Sequence, residues 1–191
     1  MGGKLTGSSG ASGIHGGQAI ADRLTELANG VKSPIDTDRG LAARLRYLTK
    51  SSAGYDAMNQ AGLDVTARTF MAWLAEEQTP TKANLARIEA AYADLHSRNM
   101  AASLKKRLDK NGRGTRIEIH PVNQADVPVE KQRELHVRKV NVRPPDWNRL
   151  IDQWAARDIA AMSTTWQQVA ADALGTDWNA YVSVSHIGFG A

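Results

Sequence analysis

At Asn111-Gly112 the hydrophobic period of the chain changes from one apolar residue every three or four positions to one every second position. Before that point Leu85, Ile88, Tyr92 and Leu95, then Met100, Leu104 and Leu108, mark a long helix, either bent or broken in two. After it, Thr115-Arg116-Ile117-Glu118-Ile119-His120 sends Thr115, Ile117 and Ile119 one way and the charged residues the other, the pattern of a half-buried strand ended by Pro121. Further strands are expected from Leu135, Val137, Val140 and Val142, with a bulge at Arg138-Lys139, and from Tyr181 to Ile187. Both periods in this order predict an α+β fold, mostly helical: an N-terminal helix-turn-helix domain, then a small α/β domain with about three strands. Residues 1–16 are Gly/Ser-rich and are expected to be disordered. Residues 17–110 are read as the helical domain and 111–191 as the α/β domain.

Within the helical half, Ile20, Leu24 and Leu27 predict a short helix ending near Asn29-Gly30. A second helix begins near Thr37 or Asp38, with Leu41, Leu45 and Leu48 as its stripe and Arg39, Arg44, Arg46 and Lys50 over the rest of its surface. Residues 52–77 then divide into two short helices. Gly62 can end the first in a left-handed conformation, and small Ala57 and Ala61 allow a close crossing. Thr66 can cap the second, on which Phe70, Trp73 and Leu74 share a buried face while Ala67, Arg68, Met71 and Ala72 look away. Pro80 stops that helix and Thr81 can cap the long one. In the second half, helices are expected around Trp147 to Trp154 and from a cap near Ser163-Thr164 to Gly175.

There is no cysteine, which excludes disulfides, thiolate metal sites and cysteine nucleophiles. No run approaches the roughly 18 apolar residues of a membrane span, so neither secretion nor a membrane is expected and the cytoplasm, with nucleoid association, is the default. The formal charge of +4 is unevenly placed. From residue 146 onward, Arg149 and Arg157 stand against Asp146, Asp152, Asp158, Asp172 and Asp177, so the basic surplus lies in residues 1–145. That suits one basic face for a polyanion. Five scattered histidines show no ligand spacing, so no metal is expected, and no cofactor motif is present. Gly112-Arg113-Gly114-Thr115 lacks the glycines and the Lys-Ser/Thr of a phosphate loop and reads as a basic turn. The tryptophans at 147, 154 and 166 read as core or subunit packing. No nucleophile, base and acid converge, so no enzyme is expected.

A helix-turn-helix here implies that Arg68 reaches a guanine edge, that Thr66 and Thr69 meet phosphate or a methyl group, and that Arg44, Arg46, Lys50, Lys105, Lys106, Arg113 and Arg116 meet phosphate. Two ordinary packed helices account for the same apolar spacing but leave the small exposed face unexplained. The turn Gly62-Leu63-Asp64-Val65-Thr66 is about one residue longer than the usual pattern, and groove contacts depend on it.

The basic helix, SAGYDAMNQAG, VTARTFMAWL, the break at Pro80 before LARIEAAY, GRGTRIEI and the tail from Trp147 to Phe189 resemble the telomere-protecting terminal proteins of linear actinobacterial (Streptomyces-type) chromosomes and plasmids. The resemblance implies binding to a telomeric 3′ overhang or duplex, partnership with a DNA polymerase and a telomere-associated protein, and a side-chain hydroxyl that primes end-patching synthesis and stays attached to the 5′ end. Thr115, between Arg113 and Arg116, is the expected priming hydroxyl, since the family's primer is a threonine in this region; Ser103 and Tyr181 are alternatives. Such a protein is a primer and not itself a catalyst. The competing expectations are a dimeric helix-turn-helix regulator of transcription or plasmid maintenance, and a scaffold or phage structural protein with incidental helix-turn-helix spacing.

Overall fold

A computed structural model describes residues 5–6, as backbone, and residues 10–190 in full. Among them are seven α-helices and five short strands, giving an α+β protein that is mostly helical. Its contacts separate into two units, residues 29–100 and residues 1–28 with 101–191. This is not the division at residue 110 expected from the change of period. Helix α1 (Gly16–Ala28) buries Ile20 and Leu24 completely and packs on the last helix and last strand, so it belongs with the sheet.

The unit of residues 29–100 holds α2 (Asp38–Leu48), α3 (Ser52–Gln60), α4 (Ala67–Leu74) and the first part of α5 (Lys82–Asp109), a single continuous helix. Leu41, Leu45, Leu48, Ala57, Met58, Trp73, Ile88, Tyr92 and Leu95 form one core, against which Phe70, Leu74 and Leu85 are partly buried. Caps define the starts: the Thr37 hydroxyl accepts from Gly40 N at 3.1 Å, that of Thr66 from Thr69 N at 3.1 Å, and that of Thr81 from Asn84 N at 3.3 Å. Helix α3 ends as expected at Gly62, whose φ is +72°. There Gly62 N donates to Asn59 O and Leu63 N to Met58 O, while Leu63 and Met58 join the core, the arrangement that satisfies the last carbonyls of a helix. Helix α4 stops at Leu74, short of the expected Glu77, because Glu76 takes φ 61° and Glu77 N turns back to Ala72 O.

The other unit is an antiparallel sheet in the order β1-β2-β5-β3-β4, with β1 (Leu5–Thr6), β2 (Ser12–His15), β3 (Thr115–Pro121), β4 (Arg138–Val142) and β5 (Ser183–Phe189). The disorder expected over residues 1–16 is corrected where the chain is described: Ser12–His15 pairs with β5, and its backbone also meets Asn123. Residues 1–4 and 7–9 lie outside the described residues. Strand β4 pairs with β3 in unbroken register, so the bulge expected at Arg138-Lys139 is absent. The irregularity lies in β5 instead: His120 faces His186 and Pro121 faces Val184, leaving Ser185 as the extra residue. Tyr181 sits in a 3₁₀ turn before β5 and not in the strand.

Thr115, Ile117, Ile119, Val140, Val142, Val184 and Ile187 are buried on one side of the strands. Helices α1, α6 (Pro144–Ala155) and α7 (Ile159–Leu174) supply Ile20, Leu24, Trp147, Leu150, Ile151, Met162 and Trp166 to the same core. Helix α7 begins earlier than the expected Ser163-Thr164 cap, because the Asp158 carboxylate accepts from Ala161 N at 2.9 Å. The indole N–H groups of Trp147, Trp154 and Trp166 donate to Thr115 O, Thr25 Oγ1 and Tyr181 O, which makes these rings structural. No helix among the described residues is long and apolar enough to cross a membrane.

Candidate nucleic-acid interface

Burial of Trp73 sets the orientation of α4. At 3% exposure it anchors one side of the helix, with Phe70 and Leu74 half-buried beside it, and this turns Ala67, Arg68 and Met71 outward. Met71 is 62% exposed, and Tyr55 on α3 is 52% exposed next to it on the rim of a groove of about 330 Å³ floored by Met58, Leu63 and Phe70. Tyr55 and Met71 are two of the four large apolar side chains that are exposed among the described residues. Arg68 lies in the first turn of α4 between Ala67 and Thr69, neither long enough to screen it from a partner. The Thr66 and Thr69 hydroxyls are 2.9 Å apart and share one hydrogen bond, with Thr66 held by its capping role. A short-sided face with one arginine at the start of a rigidly held helix can enter a DNA groove.

Of the cations expected beside it, Arg46 and Lys50 are exposed on α2 and are available to phosphate. Arg44 is not. It is 5% exposed, its guanidinium donates to Gly40 O at 3.0 Å and Ser33 O at 2.9 Å, its Nε lies 2.6 Å from Glu89 Oε2, and it rests over the Tyr92 ring. The expectation that Arg44 binds DNA is therefore corrected: it fastens α2 to the preceding loop and to α5. Tyr92 is part of the same network, accepting a hydrogen bond from Val31 N at 2.8 Å, and burial pushes its hydroxyl pKa up.

In the sheet unit, Lys106, Arg113 and Arg116 are exposed where α5 ends and β3 begins, while Lys105 is half-buried and pairs with Asp152 at 2.6 Å. Thr115 is corrected more sharply. It is 1% exposed, and its hydroxyl donates to Leu108 O at 2.8 Å, so it offers no free oxygen to a nucleotide. Tyr181 is also excluded, being 3% exposed with its hydroxyl donating to His136 O. Ser103 is the expected hydroxyl that does reach the surface, on the α5 face that also carries Lys106 and Arg107 at the i+3 and i+4 positions.

Among the described residues no group of three or more His, Asp or Glu side chains could hold a metal ion. No protein family, curated protein or solved structure matches the chain.

Proposed function

We propose that the chain is a DNA-binding protein that lays the outward face of α4 in a major groove, with Arg68 reading a guanine edge and Thr66, Thr69, Arg46 and Lys50 beside phosphates. One observation carries this reading: Ala67, Arg68 and Met71 are exposed together on a helix fixed from behind by buried Trp73. The residues from Lys105 to Arg116 include six cations and one carboxylate; apart from Lys105, which pairs with Asp152, these cations offer a second surface to a polyanion, and salt-sensitive affinity is expected from it. Nucleoid association follows from such binding.

A second reading adds end-priming to the DNA binding, as the resemblance to telomere terminal proteins implies, with a polymerase and a telomere-associated protein as partners. Exposed Ser103, with Lys106 and Arg107 beside it, supports that version and takes the place of Thr115. A dimeric regulator remains the competing form.

Selection of duplexes from a random pool by the full-length chain tests the shared claim. A recovered consensus, bound in preference to random duplex, supports it; the absence of any consensus, with binding lost at moderate salt, overturns it. Half-sites one turn apart would favour the regulator. A nucleotide retained on Ser103 after nuclease digestion of protein from its host would favour end-priming.

A further inference from the structure

Histidines 120 and 186, 66 positions apart in sequence, stand directly opposite each other on β3 and β5. Their rings are stacked, with centroids 3.8 Å apart and planes 17° from parallel. The cause is the bulge in β5. Because Ser185 is the extra residue, Ser185 and His186 both turn outward between buried Val184 and Ile187, bringing His186 over the outward side chain of His120. The Ser185 hydroxyl donates to His120 O at 3.3 Å and lies 3.4 Å from His186 Nδ1, so the bulge is pinned from both strands. Bulges that re-aim a side chain in this way recur beside functional sites.

The neighbouring charges are accounted for. Glu118, two residues before His120 on β3, is held by Lys139 at 3.1 Å, and of the α1 carboxylates that line a groove with His186, Asp22 accepts from the Gln18 amide and Glu26 pairs with Arg23. The two imidazoles are thus the available donors at this spot, one of them exposed and one half-buried.

We propose that His120 and His186 form a two-imidazole site for a late first-row divalent cation such as Zn²⁺, Ni²⁺ or Cu²⁺, with water completing the coordination. Imidazole is a preferred ligand for these ions, and hard cations such as Mg²⁺ are not expected to bind. Directly opposed positions on paired strands put both side chains within reach of one ion. Binding unstacks the rings, because the in-plane lone pairs of parallel imidazoles cannot converge, and with metal–nitrogen distances of about 2.0–2.1 Å the two nitrogens of a tetrahedral site then stand about 3.3 Å apart. Bound metal ties β3 to β5 at the bulge and raises the Tm of the folded chain. This inference does not depend on the DNA-binding reading.

Calorimetric titration of the full-length chain with NiCl₂ tests it. One ion per chain is expected, with His120→Ala and His186→Ala each weakening affinity at least about tenfold. His136→Ala, which removes an exposed histidine outside the stack, is expected to leave it unchanged. A measurement on the unaltered chain guards against misfolded variants: substoichiometric Ni²⁺ is expected to broaden the ring-proton signals of His120 and His186 before those of His15, His96 and His136. Broadening centred on any other histidine, affinity unchanged in both alanine variants, or no binding at millimolar Ni²⁺ would overturn the proposal.

Discussion

Arg44 carries a full charge into the core of the helical unit, where carbonyls at positions 33 and 40 and the Glu89 carboxylate meet it. Arg44→Ala leaves those acceptors without their donor and should cost about 2–3 kcal/mol, below the range for a fully buried pair because Glu89 keeps some contact with water. Urea denaturation reads this directly; a loss under about 0.5 kcal/mol would make Arg44 an ordinary surface cation. Thr115→Val removes a buried hydroxyl while keeping its shape and should cost about 1–2 kcal/mol through the unpaired Leu108 carbonyl, with DNA binding unchanged. Both corrections were legible in the residues. Arg44 is three positions from Leu41 and four from Leu48, on the buried stripe itself, and the alternation that turned Ile117 and Ile119 inward turned Thr115 with them. Charge and flanking arginines drew attention to these positions, but periodicity decides where such side chains point. The pairing of His120 with His186 had no such signal, because cross-strand register is a tertiary property.

At the scale of elements, the start of α3 is fixed by how closely its backbone passes the end of α2. A Cβ at position 54 would stand 1.7 Å from Leu48 O, a backbone atom that cannot swing aside, so Gly54→Ala should destabilise the helical unit by more than about 2 kcal/mol. The thermal transition of its helices is the readout, and an unchanged Tm would mean that α3 sits elsewhere. The outward face of α4 was legible because Phe70, Trp73 and Leu74 share one side at helical spacing, and the end of α3 because only a left-handed residue suits that turn. The end of α4 was missed because Glu76, a residue that disfavours positive φ, takes the role usually given to glycine. The β5 bulge was missed although the spacing carried it: Val184 and Ile187, three positions apart, would point to opposite faces of an unbroken strand, and both are buried.

For the molecule as a whole, the change of period at residue 111 announced two kinds of structure but not their membership. Helix α1 resembles the helices that follow it, and only its burial against β5 and α7 assigns it to the sheet. Deleting residues 1–28 should therefore unfold the sheet unit, removing Ile20 and Leu24 at about 1.5–3 kcal/mol each together with strands β1 and β2. The fluorescence of Trp147 and Trp166 should then shift to the red, and native emission after the deletion would contradict this assignment. Charge is distributed in the same unexpected way. Residues 29–100 hold nine basic and eight acidic side chains, so the unit that carries α4 is nearly neutral as a whole and the stronger basic cluster lies at 105–116. Specificity and electrostatic attraction are thus assigned to different surfaces. The most direct measurement is a cycle between protein and base: wild-type and Arg68→Ala chains titrated against the selected duplex and against copies in which each guanine in turn is replaced by 7-deazaguanine. One guanine is expected whose replacement costs the wild type about 1–3 kcal/mol and costs Arg68→Ala nothing further. Equal losses in both proteins, or no loss at any guanine, would contradict the placement of α4 in the major groove.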